Sequence, residues 1–218
     1  MHLVPQLLKY GQQIGGQVLE DDPFGQGFLE RIARAQSRSR DSRLSKIQKV
    51  LHIAVPQFEE LEFEQDRITG RPHLKARFKH FRPNAGWQRE EQFSDGTLRL
   101  LGLLWSLLDS PSLLLMEEPE LSLNASIVAE IPTMMSKIQR QSKRRRQVLI
   151  STHSEALLSN PGIDASGVLL VEPGENGSTI REVNVEEENA IRDGFSIAEV
   201  VLPIARPSAV SQLSLGLE

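Results

Sequence analysis

From Thr97 to Asp109 the chain reads TLRLLGLLWSLLD, apolar around almost the whole circumference of a helix. A helix without a polar face must be buried on most sides. Leu113-Leu-Leu-Met116 follows at once, bounded by Pro111 and by the carboxylates Glu117 and Glu118. That run reads as a strand covered on both faces in a parallel sheet. The order then repeats. Ala125 to Gln141 has helical spacing in spite of Pro132, and Gln147 to Ser151 is a second buried strand. Ser154 to Ser159 is a short helix, and Val168–Val171 and Ser178–Val183 are strands around a Gly174–Gly177 turn. Helix and strand in alternation predict an α/β fold, a mainly parallel sheet flanked by helices.

The first 89 residues are more polar and less regular. Phe24, Phe28, Leu29, Ile32 and Ala35 predict one helix. Leu44, Ile47, Val50, Leu51 and Ala54 predict another from Asp41 to just before Pro56. Phe58–Phe63 and His73–Phe81 alternate around Thr69-Gly70 and predict a β-hairpin. The expected organisation is a helical segment over 1–56, a hairpin over 57–89, a lobe over 90–206 and a tail over 207–218.

Composition removes several classes. With 218 residues the chain can bury a real core, and the absence of cysteine excludes disulfides, thiolate metal sites and a cysteine nucleophile. Leu98–Leu108, the longest apolar stretch, is broken by Arg99 and Ser106 and is far too short to span a bilayer. The N-terminus carries no export pattern. The expectation is a soluble, cytoplasmic protein with no membrane association. A net charge of -4 argues against whole-surface nucleic-acid binding. It leaves room for a local patch: Arg31, Arg34, Arg38, Arg40, Arg43, Lys46 and Lys49 face one acid, Asp41, and Lys143–Arg146 form a second cluster. Each can meet nucleic-acid phosphates or serve as a solvated helix face.

Three features carry chemistry. Ser94-Asp95-Gly96 precedes the apolar helix; Ser94 is a good N-cap, and a helix start without bulky side chains is a phosphate site or simply a capped end. Glu117 and Glu118 end a buried strand, where ligands of open α/β sheets bind. One carboxylate can hold Mg²⁺ and its neighbour, pointing the other way, can activate a water; the alternative is a solvated acidic turn. His153 ends the strand Val148–Ser151 and can contact a phosphate or serve structure alone. His73 and His80, seven apart, do not suit a shared metal. Trp87 reads as an edge cover and Glu186-Glu-Glu188 as a solvated acidic turn.

The order and spacing of the three features resemble the C-terminal lobe of ABC-type ATPases, in the RecF/SMC/OLD-like branch of P-loop NTPases. Phe93-Ser94-Asp95-Gly96 resembles the ABC signature, with Phe where Leu is usual. Leu113–Glu118 resembles Walker B, Glu120-Leu-Ser-Leu-Asn124 the D-loop and Ser151-Thr-His153 the switch-histidine loop. The resemblance covers about Gln92 to Ser159. It implies ATP and Mg²⁺ as cofactors, with Glu117 helping to hold the metal, Glu118 as general base and His153 at the γ-phosphate. Ser94, Asp95 and Gly96 would meet the ATP of a second protomer in a head-to-tail dimer.

The sequence departs from the family in two places. It contains no GxxxxGK[ST]; Gly174–Thr179, the nearest lookalike, lacks the lysine and precedes a strand. In the family that loop lies in a Walker A-bearing N-terminal lobe, so the chain reads as a truncated piece, a split-gene product or a degenerate relative, and alone is expected to be inactive. Asn124-Ala125 also stands where a His-Pro pair is common. The competing expectation is a non-catalytic interaction module that pairs with another chain. A transporter ATPase subunit fits less well, because Leu-Ser-Gly-Gly-Gln and Asp-Glu-Pro are both absent.

Overall fold

The computed structural model describes residues 27–82, 86–109, 112–141, 146–174 and 177–205. Phe24, Glu175 and Asn176 of the Gly174–Gly177 turn, Lys143–Arg145 and the tail from Pro207 lie outside them. The chain divides into two units, one built from residues up to 127 and 135–152, the other from 128–134 and 153 onward.

In the first unit, α1 (Phe28–Arg34) and α2 (Ser37–Ala54) lead to β1 (Phe58–Gln65), β2 (Pro72–Phe78) and β3 (Trp87–Arg89). Helix α2 starts four residues before the expected Asp41. The three strands form an antiparallel sheet in the order β1-β2-β3, with Phe63 opposite Leu74 and Arg77 opposite Trp87. The hairpin turn is closed by Asp66, whose Oδ1 accepts from the Ile68 and Thr69 amides, and Gly70 takes the positive φ of 69° that the turn requires. These two amides hold the Asp66 carboxyl below the usual carboxylate range.

Helix α3 (Asp95–Asp109) has the burial its composition demands: ten residues from Thr97 to Leu107 are buried, Trp105 among them. Helix α2 packs against it and against β1. At the far end of α3, Arg43 of α2 reaches Asp109 Oδ1 at 2.5 Å and its carbonyl at 2.8 Å. Edge-on contacts from Phe58 to Phe78 and from Phe78 to Phe93 carry the sheet's core toward the start of α3. Beneath it, Glu90 is 1% exposed; its carboxylate lies 2.8 Å from His73 Nδ1 and accepts the Leu74 amide at 2.8 Å.

Strands β4 (Leu114–Glu117) and β5 (Val148–Ser151) pair in parallel, Met116 opposite Ile150 and Glu117 opposite Ser151. Leu114 and Met116 are buried, but Leu113, Leu115 and Leu149 are 55%, 52% and 43% exposed. The covering expected on both faces is therefore present on one. A parallel pair is normally layered on each side, and the second layer is not among the described residues.

The second unit contains α5 (Glu155–Leu158), an antiparallel β6–β7 pair (Leu169–Gly174, Gly177–Glu182), α6 (Val185–Arg192) and α7 (Ile197–Ala205). It also takes in the middle of α4 (Ala125–Gln141), where buried Asn160 donates to the Ala129 carbonyl at 2.6 Å and to Thr133 Oγ1 at 3.1 Å. Leu158, Leu170, Ile197, Ala198 and Val201 form its core. The expected acidic turn at Glu186–Glu188 is instead the first turn of α6. Asn184 and Glu187 form a capping box there, and acidic residues suit a helix N-terminus. Arg181 grips both Glu187 oxygens at 2.8 Å and Glu172 through its Nε, which lowers the Glu187 pKa. Among the described residues no helix is long and apolar enough to cross a membrane.

Candidate functional site

The signature-like turn is positioned from both sides. Buried Phe93 anchors it to the aromatic core, and Ser94 stands as the N-cap of α3. Ser94 Oγ accepts from the Thr97 amide at 3.2 Å and lies 2.8 Å from the Thr97 hydroxyl; the Ser94 carbonyl accepts from Leu98 at 3.0 Å. The expected cap is thus present, one turn before the apolar face begins.

Gly96 has a reason that the sequence did not disclose. A Cβ at this position would stand 2.7 Å from the Ser122 carbonyl oxygen, closer than such atoms approach. The missing side chain makes room for the Glu120–Asn124 loop, which closes on the start of α3. Ser122 itself has a φ of 63°, and Asn124 Oδ1 caps α4 by accepting from the Ser126 amide at 2.9 Å. Ser94, Gly96, Ser122, Leu123 and Asn124 line one cleft of about 430 Å³, joined by Gln57, Gln88 and Gln92. Gly96→Ala should force this loop away from α3. The expected result is a loss of about 1–3 kcal/mol in urea unfolding, typical of overpacking. An unchanged unfolding midpoint would show that the loop does not need the space.

The strand-end carboxylates sit elsewhere in the same unit and do not line that cleft. Glu117 is exposed and Glu118 half-buried. The Glu118 amide donates to the Ser151 carbonyl at 2.9 Å, extending the β4–β5 ladder by one bond. Its φ is 40°, in the left-handed region that costs a non-glycine residue about 1 kcal/mol or more. Strain of this kind is concentrated at functional turns. Pro119 follows, and Leu121 returns a hydrogen bond to the Glu118 carbonyl at 3.2 Å.

Glu120, the third carboxylate of the run, is buried rather than solvated. Thr152 donates its hydroxyl to Glu120 Oε1, while Glu120 Oε2 has no hydrogen-bond partner among the described residues. His153 follows Thr152 directly, is exposed, and belongs to the second unit.

Arg99 was visible in the sequence only as an interruption of an apolar run. It is 7% exposed, and burial lowers its pKa, opposed by the charges of Asp95 and Glu118. The basic clusters are partly structural. Arg43 is tied to Asp109, Arg40 lies over the Phe63 ring at 4.0 Å, and Arg146 donates to the Ser106 and Ser112 carbonyls. Arg34, Arg38, Lys46 and Lys49 remain exposed. Trp87 carries Lys75 over its ring at 4.4 Å in β3. His73 lies with Glu90 and Glu91, their ligand-type atoms within 4.8 Å of one another, while His80 stacks on Phe81.

Solved structures share this fold. A structure described under ATP-driven dimerization and DNA-stimulated activation of SMC ATPases aligns at a TM-score of 0.51 and 13% identity, over 72% of this chain and 92% of the other. The Smc head domain with coiled coil and joint from Pyrococcus yayanosii aligns at 0.51 and 14%, over 72% of this chain and 29% of that one. A Smc head bound to the C-terminal winged-helix domain of ScpA aligns at 0.50 and 16%, over 69% and 45% respectively. The chain thus spans under half the length of the latter two. No curated protein matches it.

The parallel pair ending in carboxylates and the capped apolar helix thus belong to a fold shared with SMC ATPase heads. Residues 2–159 match the family model described as "AAA domain, putative AbiEii toxin, Type IV TA system", and the chain belongs to that family.

Proposed function

We propose that the chain supplies the signature turn, the Walker B carboxylates and the switch histidine to an ATP-gated dimer, whose hydrolysis requires a Walker A-bearing lobe. Ser94, Asp95 and Gly96 face the ATP of the opposite protomer. Glu117 helps to hold Mg²⁺, Glu118 accepts the proton of the attacking water, and His153 contacts the γ-phosphate. The residues present suit these groups: an exposed carboxylate at a strand end is the donor a water-shelled Mg²⁺ takes. A capped helix start on an open cleft suits an anion. Bound Mg²⁺ would neutralise phosphate charge; this chain's part is to position the water and accept its proton.

One observation carries the reading: Glu117 and Glu118 lie in the same unit as the signature cleft but do not line it. A chain that hydrolysed ATP by itself would need them on the same nucleotide, whereas a head-to-tail dimer brings each to the other's partner. The exposed Leu113, Leu115 and Leu149 face supports completion by a further lobe, since a parallel pair needs that covering.

The pathway served would be DNA repair, chromosome maintenance or anti-phage defence. Arg34, Arg38, Lys46 and Lys49 would offer phosphate contacts to nucleic acid. Phosphate release decides the proposal. The chain alone should show no turnover, and mixing with a Walker A-bearing lobe should produce it, with duplex DNA as a further variable. Turnover by the chain alone would refute the need for the second lobe. A complex that forms without any response to ATP would favour the non-catalytic interaction module.

A further inference from the structure

We propose that Glu120 is a positioning residue that sets the switch histidine, His153, by clamping the residue before it. The inference rests on the reading of His153 as the group that meets the γ-phosphate. Thr152 donates its hydroxyl to Glu120 Oε1, a contact between positions 32 apart in the sequence. On the other side of His153, Ser154 caps α5: its Oγ accepts the Leu157 amide at 3.3 Å and its carbonyl the Leu158 amide at 3.0 Å. One residue before Thr152, the Ser151 carbonyl accepts the Glu118 amide at 2.9 Å. An exposed histidine is thus carried on a short segment anchored at both of its neighbours.

Of these anchors, Glu120 is the costly one. It is 8% exposed, and its Oε2 has no hydrogen-bond partner among the described residues. Burying a carboxylate with one oxygen unmatched disfavours the fold. A glutamine or an apolar residue would fill the same space at a smaller cost. What the carboxylate adds is its strength as an acceptor, since hydrogen bonds to a charged group are roughly twice as strong as neutral ones. The Glu120 carbonyl also accepts the Leu123 amide at 3.0 Å, so the clamp is itself tied to its loop. Stability given up at Glu120 fixes the backbone that carries the imidazole, and less reorganisation then separates that ring from the reacting phosphate.

Thr152→Val, Thr152→Ser and Glu120→Gln test this in the ATPase completed by its Walker A-bearing lobe, with His153→Ala measured in parallel. Thr152→Val removes the donor and keeps the shape. It should lower kcat about 10- to 100-fold, the cost of a misplaced catalytic group. KM for ATP and ATP-dependent dimerisation should stay within about two-fold of the parent. Thr152→Ser restores the hydroxyl and should recover most of the rate. Glu120→Gln keeps a weaker acceptor and should lower kcat about three- to ten-fold, with the unfolding midpoint unchanged or higher. Combining Thr152→Val with His153→Ala should add little beyond His153→Ala alone, because both act through one imidazole.

If Thr152→Val does not fold, Glu120→Gln decides in its place. A kcat within two-fold of the parent overturns the proposal. So does a parallel fall of kcat, dimerisation and unfolding midpoint that Thr152→Ser does not reverse, which marks a structural role. Full turnover by His153→Ala would overturn the reading of His153 and the positioning with it. Normal turnover by Thr152→Val beside an inactive His153→Ala would overturn the positioning alone.

Discussion

Glu118→Gln, introduced into the ATPase completed by a Walker A-bearing lobe, is expected to slow ATP hydrolysis by about 100- to 10,000-fold, the span a general base contributes. The amide is nearly isosteric, so the local fold should survive. The backbone bonds from the Glu118 amide to Ser151 and from Leu121 to the Glu118 carbonyl do not involve the side chain. What is lost is a carboxylate able to take a proton from water. ATP binding should remain, and with hydrolysis blocked the bound state should accumulate. Single-turnover phosphate release, compared with equilibrium ATP binding, separates the two effects. A kcat within a few-fold of the parent would mean that another group activates the water.

Much of this could be read from the sequence because buried elements leave strong patterns. Helix α3 is apolar all round, so its existence and burial followed directly, and only its start moved, from Thr97 to Asp95. The strands β4 and β5 were legible as apolar runs that break into polar residues. The exposed face of that pair was not, since periodicity cannot tell a strand covered on both sides from one awaiting its second layer. Strand β3 has three residues and exists through its pairing with β2, which no local pattern encodes. Helix α6 did carry a signal, Asn184 followed three residues later by Glu187, but its run of acids resembled a solvated turn.

The site divides in the same way. Ser94 as cap and Glu117 and Glu118 at a strand end rest on local spacing and could be placed in advance. The closeness of Gly96 to Ser122 and the burial of Glu120 under Thr152 depend on residues 26 and 32 positions apart. Such contacts are set by tertiary packing. Arg99 carries a sequence signal of another kind: a single charge inside an otherwise apolar helix is costly to bury, and it is buried here.

Ser94→Arg probes the signature surface itself. Ser94 is exposed at the mouth of the cleft, so a long cation there blocks the approach of a second protomer's nucleotide while leaving the core intact. Loss of the cap to Thr97 should cost about 1 kcal/mol of stability, too little to unfold the domain. The effect on association should be larger, a weakening of about 30-fold or more if Ser94 lies at the centre of the contact.

The decisive measurement is the mass in solution of the completed ATPase, in a Glu118→Gln background that prevents turnover, with and without ATP and Mg²⁺. The protein should be monomeric without nucleotide and dimeric with it, and Ser94→Arg should keep it monomeric in both. Dimerisation by ATP that is indifferent to Ser94→Arg would contradict the assignment of this turn as the surface that closes the opposite protomer's site.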